Sequence, residues 1–157
     1  MPSVGQPLPA FSIAAAVSGR PITPALFAKR GVLILHGVKS SDAAKEVSKL
    51  VRGRWPQATD VALASIVDLR SFAGLWKKVA EAQIKSTYEK LAAKATEAGL
   101  DPAEQVLIGP DWDGSVCATL GATKPDEAPT ALVVKSGTVV AVCVGADLTK
   151  QVETALS

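Results

Sequence analysis

The stretch Gly31-Val32-Leu33-Ile34-Leu35-His36-Gly37 constrains this chain more than any other. It is an unbroken aliphatic run between glycines, too short for a helix and without polar alternation. Such a run suits a central strand buried on both faces. A strand covered on both sides needs helices on both sides of its sheet, which makes a layered α/β architecture the expectation.

The remainder of the sequence supplies the layers. Val4 to Ile13 is a Pro-broken extended segment, turned at Ser18-Gly19-Arg20-Pro21, and Ile22 to Phe27 reads as a short strand or a single helical turn. After the central run, Ser40-Ser41-Asp42 offers N-cap chemistry. Ala43, Ala44, Val47, Leu50 and Val51 then fall on one helical stripe that ends at Gly53. Asp60 to Leu69 is the next strand. Ser71 to Ala98 reads as one long helix, with Phe72, Trp76, Ala80, Ile84, Tyr88, Leu91 and Ala95 on a slowly drifting stripe and Gly99 as its stop. At about 1.5 Å per residue this helix is longer than a small core needs, so a kink near Gln83 or an overhang is expected. Gln105 to Ile108 reads as a strand, Asp111 to Gly114 as a turn, and Ser115 to Leu120 as a short helix. Ala131 to Lys135 and Thr138 to Val144 form a hairpin about Ser136-Gly137, and Leu148 to Leu156 closes the chain as an amphipathic helix.

The chain has 157 residues, the size of one domain spanning 1–157. Its 48% hydrophobic and 20% charged content is that of a globular core, not a disordered one. A net charge of +2 gives no broad basic surface, so no nucleic-acid partner is expected. No run reaches the roughly 20 apolar residues of a spanning helix, no signal peptide is recognisable, and no membrane partner is expected. Two cysteines, Cys117 and Cys143, are too few for a disulfide framework, which points to a bacterial-type cytoplasm.

Three phrases carry a resemblance. "VGQPLPAFSI", "DWDGSVCATLGA" and "EAPTALVVKSGTVVAVCVG" are similar, in order and spacing, to the opening, the Asp-x-x-Gly turn and the Pro-Thr hairpin of thioredoxin-like proteins of the peroxiredoxin and thiol-disulfide oxidoreductase branch. The likeness covers nearly the whole chain at low identity. It implies a three-layer sandwich with a central mixed sheet and one long helix over about 72–98. It also implies a cis bond between Ala128 and Pro129. Relatives carry Cys-x-x-Cys or a peroxidatic Cys between the central strand and its helix, where the helix dipole favours a thiolate. Laid on that pattern, Ser40 and Ala43 stand at the two cysteine positions, and a serine hydroxyl does not act by that route without a base.

The same residues bear on other chemistry. His36, Ser40, Ser41 and Asp68 suggest a Ser-His-Asp relay, but no nucleophile elbow or oxyanion motif accompanies them. Lys39 and the amides opening the next helix suit an anion, against which Asp42 competes. Asp111-x-Asp113-Gly114 lacks the spacing of a calcium loop, one His and two scattered Cys do not make a zinc site, and no phosphate loop is present. No metal and no cofactor are therefore expected.

The sequence reading is a redox-inactive thioredoxin-like protein acting as an interaction or scaffold module, through a protein partner or self-association. Its surfaces would be the groove of His36, Lys39, Ser40, Ser41 and Pro129, or the helix bearing Phe72, Trp76, Ile84, Tyr88 and Leu91. Two alternatives remain beside it. One is an atypical thiol peroxidase or oxidoreductase using Cys117 or Cys143; the other is a small-molecule or anion-binding protein.

Overall fold

A computed structural model describes residues 2–72 and 74–157; Met1 and Ala73, the latter inside the expected long helix, lie outside the described residues. The aliphatic run is β3 (Arg30–Gly37), and every residue from Gly31 to Gly37 is buried. It is the middle strand of a five-stranded sheet of order β5-β4-β3-β6-β7. β4 (Ala62–Asp68) and β5 (Ile108–Asp111) extend it in parallel, while β6 (Thr130–Lys135) and β7 (Thr138–Val144) are antiparallel. The hairpin between them turns at Ser136 and Gly137, both with positive φ, as a two-residue connection that matches strand twist requires.

Alternation along the strands divides the core by face. Leu33, Leu35, Ala64, Ile66, Leu132 and Val134 point to one side. There they meet a small hairpin, β1 (Ile13–Ala14) with β2 (Pro21–Ile22), a 3-10 turn at Pro24–Phe27, and the five-residue α4 (Ser115–Thr119). Val32, Ile34, Leu63, Ala131 and Val133 point to the other side, under α1 (Ser41–Arg54) and α5 (Leu148–Leu156). The stripe expected on α1 is observed, with Ala44, Val47 and Val51 buried.

A 3-10 turn at Gly74–Trp76 leads into α2 (Lys77–Glu97), 21 continuous residues that bury only Ala80 and Ala95. The helical backbone thus starts later than the expected residue 72 and lies on the surface as an overhang. Its stripe is mostly an inward face: Phe72, Ile84 and Tyr88 are half-buried against Val67, Leu69, Val106 and Ile108.

Two local expectations are corrected. The strand placed at Gln105 to Ile108 begins only at Ile108; Pro102–Gln105 is instead a helical turn, α3, with Asp101 capping the Ala103 amide at 3.0 Å. Pro at the first helical position favours that outcome. The bond before Pro129 is trans, and among the described residues no peptide bond is cis. Pro129 immediately precedes β6, a place a trans proline occupies without removing a ladder hydrogen bond.

Candidate functional site

β3, β4 and β5 run in parallel, so Gly37, Asp68 and Asp111 come out together at one edge of the sheet. In open parallel sheets this carboxyl edge is where chemistry is usually sited. Two clusters form there.

The first lies at the β3–α1 turn. Ser40 is buried; its Oγ accepts the Gly37 amide at 2.9 Å and its hydroxyl donates to the Pro125 carbonyl at 2.7 Å. The Asp126 carboxylate accepts the Lys39 amide at 2.7 Å. A Cβ on Gly37 would fall onto that carboxylate, so only glycine admits Asp126 at this place. His36 is buried, with Nδ1 at 2.9 Å from the Gly37 carbonyl, an oxygen that can only accept, so the proton sits on Nδ1. Burial holds this imidazole below its ordinary 6.5, against the opposing pull of the Gly37 carbonyl and Asp126.

The residues His36, Lys39, Ser40, Ser41 and Pro129 therefore do not border an open groove at the helix start. Pro125, which is buried, and Asp126 fill it, and the anion expected at the Lys39 amide is the chain's own carboxylate. Nor does a Ser-His-Asp relay assemble, because the Ser40 hydroxyl and the His36 Nδ1 are each directed to a backbone carbonyl and Asp68 is bound to Arg70. Ala43 is half-buried on α1 beneath the second core face.

The second cluster is centred on Cys117 of α4. Asp111 accepts the Cys117 amide at 2.8 Å, which sets its carboxylate beside the thiol. Asp68, at the end of β4, binds Arg70 through Nε at 2.8 Å and through Nη2 at 2.6 Å; Arg70 in turn donates to the Thr123 carbonyl at 2.7 Å. Cys117 is fully buried, and burial together with Asp111 and Asp68 pushes its thiol far above the usual range, with Arg70 pulling weakly the other way. The Asp68 carboxylate likewise raises the Arg70 guanidinium. Cys143, on β7, is 2% exposed, and burial raises it as well.

Neither sulfur is a standing thiolate. They also belong to opposite faces of the sheet, Cys117 with the first core cluster and Cys143 with the second, and both are free. The sequence reading did not assemble this second cluster, because its members come from the ends of β4 and β5, a loop and α4. The available signal was an acid closing each of two apolar runs, Asp68 and Asp111, with a cysteine one short helix further on.

A central mixed sheet of this order, with helices on both faces and one long overhanging helix, is the thioredoxin-like fold. Protein-family models and curated protein sequences give no match to the chain. Solved structures do. The thioredoxin domain of a thiol-disulfide oxidoreductase from Bacteroides vulgatus is 14% identical, with all of both chains covered and a TM-score of 0.60. The pneumococcal exposed lipoprotein thioredoxin Etrx1 from Streptococcus pneumoniae is 14% identical over 94% of this chain and 98% of its own, at 0.62. A secreted disulfide oxidoreductase from Mycobacterium tuberculosis is 15% identical over 92% and 96%, at 0.56.

These likenesses overturn the expected redox-inactive scaffold. The structures that share the fold are thiol-disulfide oxidoreductases and thioredoxins, and this chain keeps two thiols within the same frame.

Proposed function

We propose that the chain carries out thiol–disulfide exchange with Cys117 as its reacting thiol. The observation that carries this reading is the seat of that sulfur: at the carboxyl edge of the parallel strands, on a residue whose amide is held by the Asp111 carboxylate, with the Asp68–Arg70 pair alongside. The fold it shares with oxidoreductases supports the same reading.

In the exchange, the Cys117 thiol passes its proton to Asp111 as the sulfur attacks one sulfur of a partner disulfide. The partner's S–S bond breaks, a new S–S bond joins Cys117 to one half, and the other half leaves as a thiolate that takes the proton. A second thiol, of the small-molecule class, then displaces Cys117 by the reverse chemistry. Cys143 cannot serve as that second thiol, because the sheet separates the two sulfurs. Exchange through a single cysteine also suits a β3–α1 junction that we take to lack the paired cysteines of relatives, with Ser40 and Ala43 in their places. Two unbridged thiols fit a reducing compartment.

The thiol is sealed in the folded chain, so reaction waits on displacement of α4. This helix has only five residues, which places it at the weak end of local stability. Native protein should therefore form a mixed disulfide with oxidised glutathione slowly but to completion, at Cys117 as located by mass spectrometry. Cys143→Ser should retain the adduct, and Cys117→Ser should reduce disulfide turnover to the rate of the added thiol alone. An adduct confined to Cys143, or a native mass unchanged after prolonged incubation, defeats the proposal.

A further inference from the structure

The residues from Gly74 to Val79 take no part in either cluster. Leu75 is 94% exposed, Trp76 64% and Val79 52%, close together on the 3-10 turn and the first turn of α2. Burying side chains of this size is favourable, so three of them held in water at one tip is a cost the isolated chain does not recover.

A second cost sits at the same place. α2 opens with Lys77 and Lys78, has no acidic residue in its first turn and has no side-chain N-cap. Lysines are disfavoured at the positive end of a helix dipole, where carboxylates are favoured. Nearby acids do not cancel them. Among the described residues neither lysine forms an ion pair with Glu81 a turn later, Asp113 is engaged by the Ser115 amide, and Asp68 is paired with Arg70. Lys77 lies 5.0 Å from the centre of the Trp112 ring. Apolar exposure and uncompensated positive charge coincide, and both costs are relieved by one kind of partner, apolar at depth and anionic at its surface.

We infer that this tip is a peripheral contact for an anionic lipid surface, with Leu75, Trp76 and Val79 entering the headgroup boundary and Lys77 and Lys78 resting on lipid phosphates. A second copy of the chain fits less well, since a two-fold pairing of the tip sets Lys77 and Lys78 against their own counterparts. A protein partner would have to supply a concave receptor for side chains that stand proud of the surface, whereas a fluid bilayer needs none. Trp beside Leu and Lys is the composition of segments that lie in the interface plane. Among the described residues no helix is long and apolar enough to cross a membrane, and the expectation of no membrane partner did not weigh a peripheral contact.

The test is sedimentation of the full chain with vesicles of phosphatidylcholine alone and of phosphatidylcholine with an equal share of phosphatidylglycerol, at low and high salt. Binding is expected to the mixed vesicles only, and to weaken at high salt. Lys77→Gln with Lys78→Gln should lower the affinity about thirty-fold, at roughly 1 kcal/mol per basic residue. Trp76→Ser should lower it about ten-fold or more while its melting curve stays that of the parent. The inference fails if the mixed vesicles are not bound at low salt, or if the two kinds of vesicle are bound alike. It also fails if Trp76→Ser binds as the parent does, if polyglutamate is bound while the vesicles are not, or if the tip instead drives a dimer that Trp76→Ser dissolves.

Discussion

His36 is the one histidine of the chain, and its surroundings fix its charge. Burial lowers its proton affinity below the ordinary 6.5, so the folded state holds the neutral ring while the unfolded chain protonates near that value. Below about pH 6.5 the unfolded state binds the extra proton, and stability falls as pH falls, with a limiting slope of about 1.4 kcal/mol per pH unit from this residue. Thermal melts from pH 7 to pH 5 should show a falling midpoint, and His36→Gln should flatten that part of the curve. An equal fall in both proteins would assign the slope to other groups.

At the scale of elements, α2 begins against its own dipole. Replacing Lys77 and Lys78 by Glu puts carboxylates at the positive end, each worth about 0.3–1 kcal/mol. The double variant should have a higher urea midpoint than the parent, by about 1 kcal/mol in unfolding free energy, while losing vesicle binding; an unchanged or lower midpoint contradicts the dipole argument. The same helix shows what the sequence could convey. Its stripe of Phe72, Ile84 and Tyr88 was readable as a face, because helical periodicity is a local property. Its start was not, since a 3-10 turn carries no distinct pattern over three residues. β3, β4, β6, β7, α1 and α5 were legible from aliphatic runs, glycine turns and stripes. The site was not, because Asp68, Arg70, Asp111 and Cys117 meet only through strand order, and the filling of the Ser40 pocket by Pro125 and Asp126 depends on a contact 85 residues away in sequence. The Ala128–Pro129 bond was misread because the resemblance, not the local residues, implied its geometry.

Across the whole molecule, the segment 123–126 touches both clusters at the sheet edge. Its Thr123 carbonyl takes Arg70, its Pro125 carbonyl takes Ser40, and its Asp126 carboxylate takes the Lys39 amide. The distances are all 2.7 Å, and no other described side-chain bonds tie these two regions together. Loosening this one strut therefore slackens both ends. If α4 must lift for Cys117 to react, hydrogen exchange at the Lys39 amide should quicken in Arg70→Gln in step with alkylation of Cys117; rates that move independently would separate the two regions. A stretch with no reactive atom of its own then sets how often the sulfur is reached, as a latch does for a door it never touches at the hinge.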